Sequence, residues 1–395
     1  MDRFVQIAGV GMTPFSKPSA GTPYTVLAEQ AARVALADAG LDYRQVQQAY
    51  AGYVYGDSTC GQAALYSLGQ TGIPIVNVNN NCSTGSSALW LARQAVQSGE
   101  VDCVLAVGFE QMRPGALASV WDDRPDPLQR SETAMAQIQG ADAHAPVAAQ
   151  LFGGAGQAYA DAHGTAPETF AKISVKARRH AAANPYAVFR TALTEEEVLA
   201  SPRIYGPLTR LQCCPPTCGA AAAVVCSTDF ARRHGLDASV AIRAQALTTD
   251  TASTFDAGDM MKVVGYDMSR TAAERVYADA GVGPDDIDVV ELHDCFTTNE
   301  LISYEALGLT PEGTAEKFVL DGDNTYGGKV VTNPSGGLLS KGHPLGATGL
   351  AQCAELVWQL RGQADARQVE DARLALQHNI GLGGAAVVTL YERTC

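Results

Sequence analysis

Four short stretches carry side chains able to do covalent or proton-transfer chemistry. "ELHDCFTTNEL" (residues 291–301) sets His293, Asp294 and Cys295 at the end of an apolar run, just before what reads as a helix start. "VNVNNNCSTGSSALW" (76–90) leads a run of Asn into Cys82, then small residues, then a helix. A cysteine at a helix N-terminus meets free N–H groups and the positive end of the macrodipole, which predicts a lowered pKa and a nucleophilic thiolate. "NPSGGLLSKGHPLGATGLAQ" (333–352) crowds glycines around His343, a candidate general base near neutral pH. "LQHNIGLGGAAVV" (376–388) is a glycine-rich turn whose backbone N–H groups could serve an oxyanion. Each stretch also has a plain structural reading: a packed thiol, a satisfied histidine in a tight loop, or glycines kept for packing.

The elements that must position these residues alternate in type. "VDCVLAVGFE" (101–110), "AAAAVVCS" (220–227) and "AVVTLYE" (386–392) read as buried strands, and "SALWLARQAVQSG" (87–99) as an amphipathic helix closing on glycine. This pattern predicts an α/β fold. Two distant segments match: "AARVALADAGL" from Ala31 and "AAERVYADAGV" from Ala272, each a helix ending in Asp-Ala-Gly with glycine suited to the left-handed cap. They suggest two related halves, 1–245 and 246–395. The stretch 112–205 is rich in Ala, Pro, Gln and charge, and reads as a helical, loop-rich insertion in the first half.

With 395 residues, 46% hydrophobic and 18% charged, the chain has the composition of a globular protein. A net charge of -14 argues against nucleic acid as a partner, because phosphate backbones need clustered cations. A small phosphorylated ligand needs only a local basic patch, and Lys172, Lys176, Arg178 and Arg179 are a candidate. No apolar run has membrane-spanning length, and neither end reads as a signal peptide, peroxisomal tripeptide or prenylation box, so a cytoplasmic protein with no membrane partner is expected. The ten cysteines lack the spacing of a disulfide scaffold. Only Cys213, Cys214 and Cys218 cluster, without a second ligand pair, so no metal is expected. "GVGMTP" near the N-terminus lacks the last glycine of a dinucleotide fingerprint.

Taken together, "NNNCSTGSSAL", "HDCFTTNEL", "GDNTYGGK", "NPSGGLLSKGHPLGATGLAQ" and "QHNIGLGGA" resemble the thiolases, and among them the sterol carrier protein 2 type, over essentially the whole chain. "HDCF" stands where ordinary thiolases carry an Asn-Glu-Ala-Phe-like motif. Asn379-Ile380-Gly381 stands where they carry Cys-x-Gly, so that second cysteine is missing. The resemblance implies a five-layered αβαβα fold from two βαβαβαββ halves, and ping-pong thiolysis of a 3-oxoacyl-CoA with coenzyme A as co-substrate and no permanently bound cofactor. It implies that Cys82 is the nucleophile, His343 its base, and Cys295 the proton shuttle replacing the missing cysteine. His293 and His343 would form one oxyanion site, and the backbone N–H groups of Cys82 and Gly381 a second. Asp294 would orient local backbone. Branched, long-chain or steroid-side-chain acyl groups, and a homodimer or homotetramer, are further expectations. Because no lipid-transfer domain follows the last strand, sterol-carrier activity is not expected. A biosynthetic condensing enzyme and a non-catalytic lipid-binding or scaffold subunit are the competing readings. Aldol lyases of the same superfamily lose the cysteines and use tyrosine, whereas both Cys82 and Cys295 are present.

Overall fold

The computed structural model describes residues 4–115, 117 and 119–394. Met1–Arg3 and Cys395, at the two ends read above for targeting signals, lie outside the described residues, as do Ala116 and Ala118 in the expected insertion.

Twelve strands organise the chain: β1 (Val5–Met12), β2 (Gln48–Gly52), β3 (Ile75–Val78), β4 (Cys103–Glu110), β5 (Arg203–Tyr205), β6 (Leu208–Thr209), β7 (Gly219–Ser227), β8 (Val240–Thr248), β9 (Val289–Glu291), β10 (Val331–Thr332), β11 (Leu374–Gly381) and β12 (Ala385–Arg393). The main sheet runs β10-β9-β11-β12-β8-β1-β7-β4-β2-β3. Its two ends mirror each other. β3, β2 and β4 are mutually parallel neighbours, followed by antiparallel β7 and β1. In the other half β10, β9 and β11 are parallel, followed by antiparallel β12 and β8. Among the described residues the two half-sheets join edge to edge at β1 and β8, with Gln6 opposite Ala241.

The expected helices appear where the apolar spacing put them. Tyr24–Ala39 and Tyr266–Ala280 both end on a left-handed glycine, Gly40 and Gly281, as the shared Asp-Ala-Gly predicts. They cover the outer faces of the two half-sheets. Thr84–Gln97, which follows Cys82, and Thr348–Arg361, which follows His343, pack on each other between the half-sheets. Leu89, Ala92, Leu350, Ala354 and Val357 from these two helices share a buried core with Val104, Ala223 and Val289 from the strands. The order is helix, sheet, helices, sheet, helix: the expected five layers.

The connection between β4 and β7 holds the helices Gln129–Gln139, Val147–His163, Pro167–Ala181 and Glu195–Ala200. It continues past residue 205, where the compositional boundary fell, through "QCCPPTC" to the start of β7. The proposed basic patch is not one. Lys176 is buried, ion-paired with Glu300 and bonded to Thr332. Lys172 pairs with Glu195, Arg178 lies over the Phe189 ring, and Arg179 donates to Thr325. One face of a helix drew these cations to separate partners, and charge spacing in sequence does not reveal burial.

Candidate active site

Cys82 follows β3, His293 and Cys295 follow β9, and His343 follows β10. All four therefore stand beyond the carboxyl ends of parallel strands, where α/β folds collect ligands. All four are buried, and all four line one cavity of about 400 Å³. The rest of its wall is mainly apolar, with Met112, Leu117, Phe152 and Ile204 from the insertion and Phe296, Ile380 and Leu382 from the second half.

The Asn run explains how Cys82 is presented. Asn81 adopts φ +50°, a left-handed conformation that asparagine tolerates. Asn80 bonds the first turn of the following helix, donating from its backbone to Thr84 (2.9 Å) and from its side chain to Ser87 (2.9 Å). The chain thereby turns sharply with Cys82 at the helix entry. On the other side, Gly342 has φ +123°, and a Cβ there would sit 3.0 Å from Thr217. The next backbone N–H, that of His343, donates to Thr217 Oγ1 at 2.6 Å. The buried carboxylate of Asp294 accepts from the backbone of Leu338 (2.7 Å), tying the His293–Cys295 segment to the loop before His343.

The polar atoms of these side chains are close together. Cys82 Sγ and one ring nitrogen each of His293 and His343 lie within 4.8 Å of one another. The two imidazoles meet edge to face, with centroids 5.1 Å apart. This is also the three-donor set among the described residues that one cation could reach. Cys213 and Cys214 line the same cavity, and the Cys214 N–H donates to the Cys295 carbonyl (2.9 Å).

The lowered pKa expected for Cys82 is overturned. Burial, followed by the nearby Glu110 carboxyl, pushes the thiol up to about 12, outweighing the N–H groups of Cys82 and Leu382 that act the other way. Desolvation of a full charge exceeds the help of a helix start. Glu110 accepts from the backbone of Val54, Tyr55 and Gly346, and is itself raised to about 7 by burial. Burial lowers His343 to about 3. His293 is also held well below its usual value, by burial and then by His343. Burial raises Cys295 well above the ordinary thiol value. The resting site is therefore two thiols and two neutral imidazoles.

The tautomer of His343 follows from its partner. The Thr348 hydroxyl donates to the Pro344 carbonyl (2.9 Å), so it can only accept from His343 Nδ1, 2.7 Å away. The proton is on Nδ1, and Nε2 keeps a lone pair. That Nε2 is buried without a protein partner. Gly381 stands between the cavity residues Ile380 and Leu382, with its Cα so close to Asn80 that a Cβ would meet the Asn80 carbonyl. Sequence reading singled out neither Thr348 nor Glu110. A Thr five residues after the histidine was the one local signal.

Residues 5–229 match the thiolase N-terminal domain and residues 249–393 the thiolase C-terminal domain-like family. Sterol carrier protein 2 of Gallus gallus is 57% identical over 99% of this chain and 72% of its own length. Benzoylsuccinyl-CoA thiolase subunit BbsB of Thauera aromatica is 37% identical over 100% of this chain and 99% of its own. Among solved structures, the Ltp2-ChsH2(DUF35) aldolase superposes with TM-score 0.83 at 25% identity, covering 99% of this chain and 98% of that one. Human mitochondrial 3-ketoacyl-CoA thiolase in complex with CoA shares the fold, with TM-score 0.74 at 19% identity over 100% of this chain and 98% of that one. No helix among the described residues is long and apolar enough to cross a membrane. By sequence and fold, the chain belongs to the thiolase family, of the sterol carrier protein 2 type, and is an acyltransferase enzyme.

Proposed function

We propose that the enzyme is a 3-oxoacyl-CoA thiolase working by ping-pong transfer through an acyl-Cys82 intermediate. One observation carries this reading: two thiols and two neutral imidazoles of complementary protonation meet in one largely apolar cavity. Cys82 gives its proton to His343 Nε2 as sulfur bonds the 3-keto carbon. The two pKa shifts oppose separated charge, so proton transfer is coupled to bond formation rather than preceding it. The C2–C3 bond then breaks, its electrons pass to C2, and the Cys295 thiol protonates that carbon, releasing acetyl-CoA, or propionyl-CoA from a 2-methyl substrate. In the second half-reaction coenzyme A gives its proton to the Cys295 thiolate and attacks the acyl-thioester. Cys82 leaves and recovers its proton from His343.

His293 and the protonated His343 hold the thioester oxygen while the enolate forms, and the N–H groups of Cys82 and Gly381 face the tetrahedral intermediate. The apolar wall supports branched, long-chain or steroid-side-chain acyl groups, and the CoA complex of the human relative supports coenzyme A as co-substrate. The two halves supply the chemistry, meeting before β8 rather than at residue 245, with the connection between β4 and β7 as lid, in a cytoplasmic homodimer or homotetramer.

Intact-protein mass spectrometry after mixing with straight, 2-methyl-branched and steroid 3-oxoacyl-CoAs tests the reading. It should show one added acyl group, mapping to Cys82 and lost on adding coenzyme A. Cleavage without any acyl-enzyme would point instead to an aldol-type reaction like that of the aldolase relative, and would overturn the proposal.

A further inference from the structure

The mechanism above leaves Asn379 without a task, yet its amide bonds one of the reacting rings. β11 places Gln377 and Asn379 on one face, and Ser86, from the helix after Cys82, lies against both. All three are fully buried.

The direction of each bond follows from one fixed point. Gln377 Nε2 is 2.7 Å from the carbonyl of Gly349, and more loosely faces Gln352 Oε1 at 3.3 Å. A carbonyl only accepts, so this end of the Gln377 amide is the NH₂, and its Oε1 accepts from the Tyr391 hydroxyl. Nε2 also reaches Ser86 Oγ at 2.8 Å and occupies it as an acceptor. The single Ser86 proton then goes to Asn379 Oδ1, 2.9 Å away. Asn379 is left with Nδ2 facing His293 Nδ1 at 2.9 Å. A ring nitrogen that receives an N–H must hold its lone pair, so the proton of the neutral ring is on Nε2.

We propose that Asn379 is a positioning residue: through Nδ1 it fixes His293 as the Nε2–H tautomer, making that ring an obligatory hydrogen-bond donor to the anionic oxygen formed during cleavage. Thr348 fixes the opposite tautomer at His343. Two histidines 5.1 Å apart are thus set, one as donor and one as acceptor, by partners from different elements. The positioning role rests on the thiolase reading, whereas the tautomer does not.

The test uses full-length protein carrying [15N]histidine, with ring nitrogens read by two-bond 1H–15N correlation at pH 8 and His293 assigned by its loss in His293→Gln. Wild type should show His293 protonated at Nε2. In Asn379→Asp a carboxylate can only accept, so the proton should move to Nδ1. Turnover of a 3-oxoacyl-CoA should then fall by about 10²–10³ in kcat with KM little changed, the loss expected for one oxyanion donor. Ser86→Ala, which cuts the chain one bond earlier, should give mixed tautomers and a smaller kcat loss if Asn379→Asp fails to fold. A wild-type His293 protonated at Nδ1, or an Asn379→Asp enzyme with its tautomer and kcat intact, overturns the proposal. A wild-type protein with the expected tautomer but no thiolysis overturns the catalytic reading and the positioning role with it.

Discussion

At Cys82 two effects of opposite sign compete, and their relative size decides how the nucleophile is stored. Nearby N–H groups favour the thiolate, while burial and Glu110 favour the thiol and prevail, at about 12. Below that value the thiolate fraction rises tenfold for each pH unit. Peptide-resolved iodoacetamide labelling of Cys82 should therefore climb about tenfold per unit between pH 7 and 9.5; a plateau near neutrality would mean a thiolate–imidazolium pair already exists. Cys295 has a separate task to test. Cys295→Ala should still accept an acyl group from an activated thioester while carbon–carbon cleavage falls by roughly 10²–10⁴, and full cleavage by this variant would remove the proton-donor assignment. Cys82, His293, Cys295 and His343 stood out in the sequence because each is a titratable group just before a helix start or among glycines, and the family resemblance supplied the roles proposed for them. The pKa of Cys82 was not, because a helix start is visible in sequence and desolvation is not. Nor was the partnership of Ser86 with Asn379, which bonds residues 293 positions apart.

The two inner helices owe their close crossing to glycine. A Cβ on Gly349 would lie 2.3 Å from the backbone nitrogen of Ser86, and one on Gly85 would lie 2.8 Å from the carbonyl of Gly346. Backbone cannot swing aside as a side chain can, so the helices would have to separate. Gly349→Ala should cost about 1–3 kcal/mol in urea unfolding, and should lower kcat because the same crossing sets Cys82 against His343. Loss of stability without loss of kcat would show that the site tolerates the shift. The strands at 101–110, 220–227 and 386–392 were legible as apolar runs and the helices ending at Ala39 and Ala280 from their glycine caps, and the repeated Asp-Ala-Gly pointed to the duplication. The extent of the insertion was not, because "QCCPPTC" resembles no regular element and is held by tertiary bonds such as that from Cys214 to Cys295.

The two halves are folded onto one another rather than merely linked. Arg361, at the end of the helix after His343, is almost fully buried and reaches into the first half. It pairs with Asp38 (2.8 Å) and donates to the carbonyls of Ile7 (3.1 Å) and Ala8 (3.0 Å). Arg361→Met should cost about 3 kcal/mol, and calorimetry should show one transition for the whole chain in both proteins; two resolved transitions would mean that the halves unfold independently. The two related halves could be read from the repeated helix and their layering from the family resemblance, but this clamp could not, because an arginine near a helix end resembles any solvated charge. The division of the site between the halves also imposes an order on its assembly. Cys82 leaves the ribosome about 300 residues before Asn379, a delay of roughly 15–60 s at ordinary elongation rates. Throughout that interval the Cys82 thiol lacks both imidazoles that meet it in the finished cavity and the second half that helps to enclose it. Competence to transfer an acyl group therefore arrives only with the last strands, so a prematurely terminated chain carries a thiol but no enzyme.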